Sequence, residues 1–345
     1  ILNEYGVKDY RLFATTAIRE AENQKYIIDQ IRVKTGFSVE VADMSEEIFY
    51  KYIALFRSIE SCGLADEQEG ILFVDMSSGG LGITLYEAGG IIYHQNIQVG
   101  ALRIKERFEK YQRESIHFYQ ALSEYINSTI ESVAQELYSR KIKHLVLSGV
   151  ETGMLLRMLN RCEYTKLTFF HAEELRQLLQ RVELLNISRL MQEFSLTEQK
   201  AEMVLPTILL YKRILALSNV AEIVVSNDQF SDGIALHHIG EKTGDKWIEK
   251  IEDQIVQLAY TLGRKFKYEY EHSISVEKTS LLLFDRLKKV HGLGKRERFM
   301  LKIADILHDI GKFLSLRQHY FYSYRLVISS DIIGFSEKEK ALVAN

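Results

Sequence analysis

The chain reads as an α/β module followed by an all-α module, and three observations carry that reading. Up to about Gly240, short apolar runs ending in glycine turns alternate with helical stretches, as in one mixed sheet with its helices. Beyond that point the strand-like runs stop, and only amphipathic helical periodicity continues to Asn345. Residues 71–86 hold the clearest hairpin: Ile-Leu-Phe-Val, then Asp75, then Met-Ser-Ser-Gly-Gly-Leu-Gly, then Ile-Thr-Leu-Tyr.

In order along the chain, residues 11–17 read as a strand entering a small-residue turn. A helix over 18–34 follows, with Tyr26, Ile27, Ile31 and Val33 on its apolar side, and Gly36 closes it. Residues 38–41 alternate as a short strand. The next helix opens at Met44, with Ser45 as its cap and Glu46 and Glu47 in the first turn, where acids suit the helix dipole. Residues 60–70 form a polar linker to the hairpin. A strand over 91–99 and a long helical region over 101–140, broken near Ser115, come next. Residues 143–148 are a short buried strand, and Gly149 to Gly153 a second small-residue turn opening a helix. Residues 171–217 read as helical throughout, with Pro206 near a helix start. A last strand covers 221–226, a polar loop 227–233, and a helix from Ile234 leaves the sheet. His237 and His238 read as a helix end facing solvent.

The hairpin turn has almost no side chains, so its backbone N–H groups can point into the space beside Asp75. Such a turn can cradle a phosphate through Ser77, Ser78, Gly79 and Gly80, and the carboxylate at its entrance can hold an accompanying hard cation. An ordinary glycine-rich hairpin has the same appearance. The turn from Gly149 to Thr152 has the strand–turn–helix order that sets an anion at a helix N-terminus, although Glu151 within it repels one.

At 345 residues the chain exceeds one ordinary core. Its 46% hydrophobic and 26% charged residues are those of a globular protein, and a net charge of −3 without a basic run gives no case for nucleic acid. No apolar run approaches the roughly 18 residues that span a bilayer, and no signal peptide is evident. Cys62 and Cys162 stand alone, which suits a reducing cytoplasm with both as small buried residues. The first residue is Ile and the last helix stops at Asn345, so a fragment cut at both ends is expected.

Several stretches together resemble the exopolyphosphatase and guanosine pentaphosphate phosphohydrolase family. Ala14-Thr15-Thr16-Ala17-Ile18-Arg19-Glu20-Ala21, followed by Asn23, is similar to its ATSAxRxAxN stretch, and Thr35-Gly36 with residues 39–47 to its TG…VISGxEEA segment. Val74 to Gly80 lies where the family has its DIGGGS loop, Val99 to Arg103 resembles LGAVR, and Ser148 to Thr152 falls at a GGT-type turn. His272, Leu307-His308-Asp309-Ile310-Gly311-Lys312 and His319 resemble an HD-type helical domain.

The resemblance implies a two-lobed actin-like (ribonuclease H-like) fold followed by that all-α domain. Residues 1–53 would belong to the first lobe, 54–239 to the second, and 240–345 to the helical domain. It also implies a Mg²⁺-dependent phosphoanhydride hydrolase, cytoplasmic and homodimeric, acting on polyphosphate or guanosine pentaphosphate. Glu47, or less directly Glu46, would activate water, Asp75 would hold Mg²⁺, and His272, His308 and Asp309, with Asp331 as a possible fourth ligand, would form a metal site. Lys312, Arg317, Arg325, Lys288, Lys289, Lys295 and Arg296 could line a polyanion path, although the last four also read as a solvated helix face.

Departures from the family pattern set an alternative beside that reading. The first phosphate hairpin of the family would lie upstream of Ile1, the acid ending the second loop is replaced by Gly82, and an expected Arg-Glu-Gly reads Ser231-Asp232-Gly233. The alternative is a catalytically weakened member that binds polyphosphate or a nucleotide alarmone. A third reading makes the protein an HD phosphohydrolase with a vestigial actin-like part.

Overall fold

Two sheets organise the chain, seen here in a computed structural model that describes residues 4–7, 10–66, 69–77, 79–113, 115, 117–161 and 165–345. The smaller sheet pairs β1 (Leu12–Ala14) with β2 (Val39–Val41) in parallel, connected through α1 (Thr16–Arg19) and α2 (Gln24–Thr35). The single helix expected over 18–34 is thus two. Gly36 ends α2 in the left-handed conformation, φ 76°, as glycine allows. The expected apolar side of α2 is not an inner one, because Tyr26 and Val33 are 65% and 70% exposed.

Helix α3 (Met44–Ser61) carries the chain from the small sheet to the large one, running continuously through residues 53 and 54. The larger sheet has six strands in the order β5-β4-β3-β6-β8-β7. The expected hairpin is β3 (Gly70–Met76) with β4 (Leu81–Glu87), and β5 (Gly90–Ile97) extends it antiparallel. The next helical region breaks into α4 (Ala101–Arg107), α5 (Lys110–Arg113) and α6 (Phe118–Leu137). Strand β6 (Ile142–Gly149) returns parallel to β3 and leads into α7 (Thr152–Met158).

Several expectations fail in the following stretch. Residues 167–171 form an edge strand, β7 (Leu167–His171), antiparallel to β8, so helix does not begin until α8 (Ala172–Glu183). Three helices then replace the continuous one: α8, α9 (Ile187–Phe194) and α10 (Glu198–Ser218). Pro206 lies inside α10, not near its start. Strand β8 (Glu222–Ser226) is as expected, but α11 (Phe230–Thr243) starts within the expected polar loop. His237 is packed edge-on against Phe49 and Tyr50, not turned to solvent. Cys62 is exposed, against expectation, and Cys162 lies outside the described residues.

The remainder is helical: α12 (Lys246–Lys265), α13 (Tyr270–Arg286), α14 (Lys288–His291), α15 (Lys295–Leu307), α16 (His319–Ser329) and α17 (Glu337–Ala344). This module docks on α3 and the large sheet through polar contacts as well as apolar ones. The Tyr52 hydroxyl donates to Gln254 Oε1 at 2.8 Å, and the Asn96 N–H of β5 donates to Asp331 Oδ2 at 2.9 Å. The large sheet is apolar on both faces, with one cluster reaching α6, α8 and α10 and the other α3, α12 and α15. No described helix is long and apolar enough to cross a membrane.

Candidate functional site

Strand parity places the first acid. In β3, Leu72, Val74 and Met76 enter one core cluster while Ile71 and Phe73 enter the other, which also contains α3. Side chains alternate along a strand, so Asp75 faces α3. Its register partners at the same level are Gly82 on β4 and Ser148 on β6. Gly82 lets α3 come close, because a Cβ there would lie 2.9 Å from the Ile48 side chain. The acid that the family pattern expects at this position would have to displace the Ile48 side chain.

Helix spacing places the second acid. Asp43 caps α3 by accepting the Glu46 N–H at 2.8 Å, and Glu46 Oε2 accepts the Asp43 N–H at 3.0 Å. This reciprocal capping box makes Asp43, not Ser45, the cap and commits Glu46 to the helix end. Burial raises the Glu46 carboxyl above its ordinary range. Glu47, the next residue, turns inward. Lys51 follows one helical turn later on the same side.

The two acids meet at Lys51. Its Nζ lies 3.1 Å from Asp75 Oδ2 and 3.2 Å from Glu47 Oε1. Asp75 Oδ1 accepts the Ser148 hydroxyl at 2.9 Å. Glu47 Oε2 accepts Arg19 Nη1 at 3.1 Å, and the same guanidinium donates to the Ala42 carbonyl and the Thr16 hydroxyl. Glu47, Lys51 and Asp75 are 8%, 9% and 8% exposed. Burial alone would lower the Lys51 pKa, but the charges of Asp75 and Glu47 outweigh it and hold the ammonium above its ordinary value. Arg19 was legible in the ATSAxRxAxN-like stretch and Lys51 in its spacing from Glu47. Only the sheet register reveals Ser148.

The glycine turns are less open than their sequences suggest. In the β3–β4 turn the Ser77 N–H donates to the Gly80 carbonyl at 2.9 Å, and the Gly80 N–H donates to the Ser77 hydroxyl at 3.0 Å. Both N–H groups are therefore spent inside the turn and do not point beside Asp75. Gly79 lies next to Thr16 of α1, so this turn faces the small sheet's segment, and Ser78 lies outside the described residues. In the β6–α7 turn, Gly149 has φ 112° and a Cβ there would overlap the Met76 carbonyl. Only glycine suits both demands. The Val150 N–H donates to that carbonyl at 3.2 Å, and the Thr152 hydroxyl closes onto the Gly149 carbonyl at 2.7 Å. Asp232 and Gly233 sit in the first turn of α11, where Asp232 accepts the Gln229 N–H at 2.8 Å.

The ion implied by the resemblance at Asp75 is Mg²⁺, and the residues there do not fit it. Mg²⁺ asks for near-octahedral oxygen donors with several retained waters. Here one carboxylate oxygen is held by a hydroxyl and the other by an ammonium.

A second set of donors converges in the helical module. His272 Nε2 lies 3.3 Å from His308 Nε2 and 3.4 Å from Asp309 Oδ2, and His308 Nε2 lies 3.3 Å from that oxygen. His319 Nε2 approaches Asp309 Oδ1 at 3.3 Å, and Lys312 pairs with Asp309 as well. The donor atoms of His272, His308 and Asp309 all lie within 4.8 Å of one another, a set suited to an imidazole-binding divalent metal. Asp331, a possible fourth ligand, instead accepts from Asn96 at the junction with β5. Beside the cluster a cavity of about 590 Å³ is lined by His308, Asp309, His319 and Tyr324 among others.

The fold has solved relatives. An Aquifex aeolicus member of the Ppx/GppA family is 16% identical, with a TM-score of 0.57 over 70% of this chain and 77% of its own. An exopolyphosphatase from Cytophaga hutchinsonii is 18% identical, with a TM-score of 0.57 over 70% of this chain and 78% of its own. A bifunctional 3-dehydroquinate synthase/phosphatase of Fusobacterium nucleatum is 24% identical over 110 residues, which are 31% of this chain and 16% of that protein. The model of the Ppx/GppA phosphatase family matches residues 1–240, and that of domain III of the same phosphatases matches residues 257–345. The chain therefore belongs to the Ppx/GppA phosphatase family, as its sequence stretches led one to expect.

Proposed function

We propose that this protein hydrolyses phosphoanhydride bonds at the end of an inorganic polyphosphate chain, with guanosine pentaphosphate as the other substrate of the same chemistry. The observation that carries the reading is the convergence of Glu47, Lys51 and Asp75 at one point. Both small-residue turns border that point, each touching the Met76 end of β3. Phosphoryl transfer needs positioning and charge neutralisation more than covalent chemistry. Glu47, fixed from both sides by Arg19 and Lys51, orients the attacking water and accepts its proton as the bond to phosphorus forms. The terminal phosphate leaves as orthophosphate, and the shortened chain takes the electron pair of the broken P–O bond.

Phosphate release from polyphosphate by the purified protein tests this directly. Glu47→Gln is expected to lower the rate by about 10²–10⁴-fold, the range for a lost general base, with the fold kept. An unchanged rate would remove Glu47 from the reaction. The self-closed Ser77–Gly80 turn favours a second reading, a member that binds the polyanion without turnover. Retention of labelled polyphosphate with no phosphate release would establish it. For the helical module we propose that His272, His308 and Asp309 hold a transition metal within an HD-type arrangement, with no reaction assigned.

A further inference from the structure

We infer that the Lys51 ammonium is the resident cation of this site, standing between Asp75 and Glu47 where a divalent metal would otherwise bridge them. That phosphate is bound here rests on the phosphatase reading above. The position of the cation does not.

Geometry is the first support. A single Nζ lies within 3.2 Å of an oxygen from each acid, the reach of an ion shared by both. Lys51 is held there by covalent placement, one turn from Glu47 on the same helix, so it needs no capture from solution. Charge balance is the second. Glu47 and Asp75 bring two negative charges, and Lys51 and Arg19 bring two positive ones, all joined in one network. A divalent ion added to this set would bring unpaired charge among the buried side chains of Glu47, Lys51 and Asp75. The neighbours of the carboxylate are the third. Asp75 Oδ1 already accepts the Ser148 hydroxyl, and a metal at Oδ2 would sit against the like charge of the ammonium. An ammonium has three N–H donors, and two are used by the acids. The third is available to a phosphoryl oxygen, as in other lysines that bind phosphate as a point charge.

The consequence is that removing Lys51 should create a metal site. Mn²⁺, read by electron paramagnetic resonance, is the probe, on the full chain and without polyphosphate. His308→Ala is included throughout so that the histidine cluster is not counted. In this background the Lys51-containing protein and its Asp75→Asn form should bind the same number of Mn²⁺ ions. Lys51→Met should bind one more, and Asp75→Asn on top of it should lose that one. Where Lys51→Met does not fold by circular dichroism, Lys51→Gln takes its place. Loss of one Mn²⁺ from the Lys51-containing protein on Asp75→Asn would overturn the inference, as would a folded Lys51 variant that gains none. Failure to cleave polyphosphate would sink the phosphatase reading and leave these counts untouched.

Discussion

The Asp75 site and the helical module each set a carboxylate beside a lysine and further charged or basic groups, yet the two arrangements differ in kind. Around Asp75 the neighbours are Lys51 and Ser148, with Arg19 one step away through Glu47, all supplied by α3, the large sheet and α1. Around Asp309 the neighbours are three imidazoles and Lys312, with side-chain exposures of 47%, 32% and 36% for His272, His308 and His319. The two acids and two cations of the first set cancel within one salt-bridged network. The second set brings imidazole nitrogens, which suit a divalent metal as ligands, to one carboxylate. In the first set the carboxylate meets an ammonium and a hydroxyl on buried side chains, and in the second it meets half-exposed histidines, the donors proposed above to hold a metal.

The largest effect that would break this contrast is expected at Asp75. Removing it strands a buried ammonium on Glu47 alone, and truncation of one partner of a buried pair costs about 3–5 kcal/mol. Asp75→Ala should lower the unfolding free energy by that amount in urea titrations, and a loss under 1 kcal/mol would mean that the network is not closed. The histidine cluster should respond to metal instead. Zn²⁺ in excess should raise the thermal midpoint of the wild type by a few degrees, through ligation linked to folding, and His308→Ala should abolish the shift. Zinc that stabilises neither protein would close this site too.

A smaller effect lies in the pH dependence next to that cluster. Burial, opposed by the Ser280 hydroxyl and His308, raises the Asp305 carboxyl from 3.8 to about 6. A raised folded-state pKa means that Asp305 favours the folded state most below pH 3.8 and loses that contribution as pH rises through about 6. Denaturant midpoints of the wild type minus those of Asp305→Asn should therefore fall between these pH values and stay flat above them. The smallest effect belongs to the exposed pair of Arg103 and Glu20, 2.5 Å apart beside the Gly79 turn. Arg103→Ala should cost about 0–1 kcal/mol, because solvent screens that pair.

Much of the fold was legible because local signals agreed with it. The Ile-Leu-Phe-Val run, the glycine turns and the capped helices set β3, β4, β6, β8 and the helical module in place. Strand β7 escaped because Leu167–His171 is short and owes its existence to β8 alongside, a long-range pairing. Ser45 attracted the cap assignment although the Asp43…Glu46 spacing was the better capping box. In the site, the acids were legible as residues and their union was not. Only strand parity and register turn Asp75 toward α3, and only tertiary packing brings Lys51 between it and Glu47. The hydroxyl of Ser77 escaped for a similar reason, since a serine in a glycine turn can serve a ligand or its own backbone.

The occupant of the space between Glu47 and Asp75 decides the matter most directly. Wild-type crystals soaked in Mn²⁺ and recorded at the manganese absorption edge should show no anomalous peak at bonding distance from Asp75, with the Lys51 ammonium in contact with both carboxylates. A manganese peak bound to Asp75, with Lys51 turned away, would contradict the assignment.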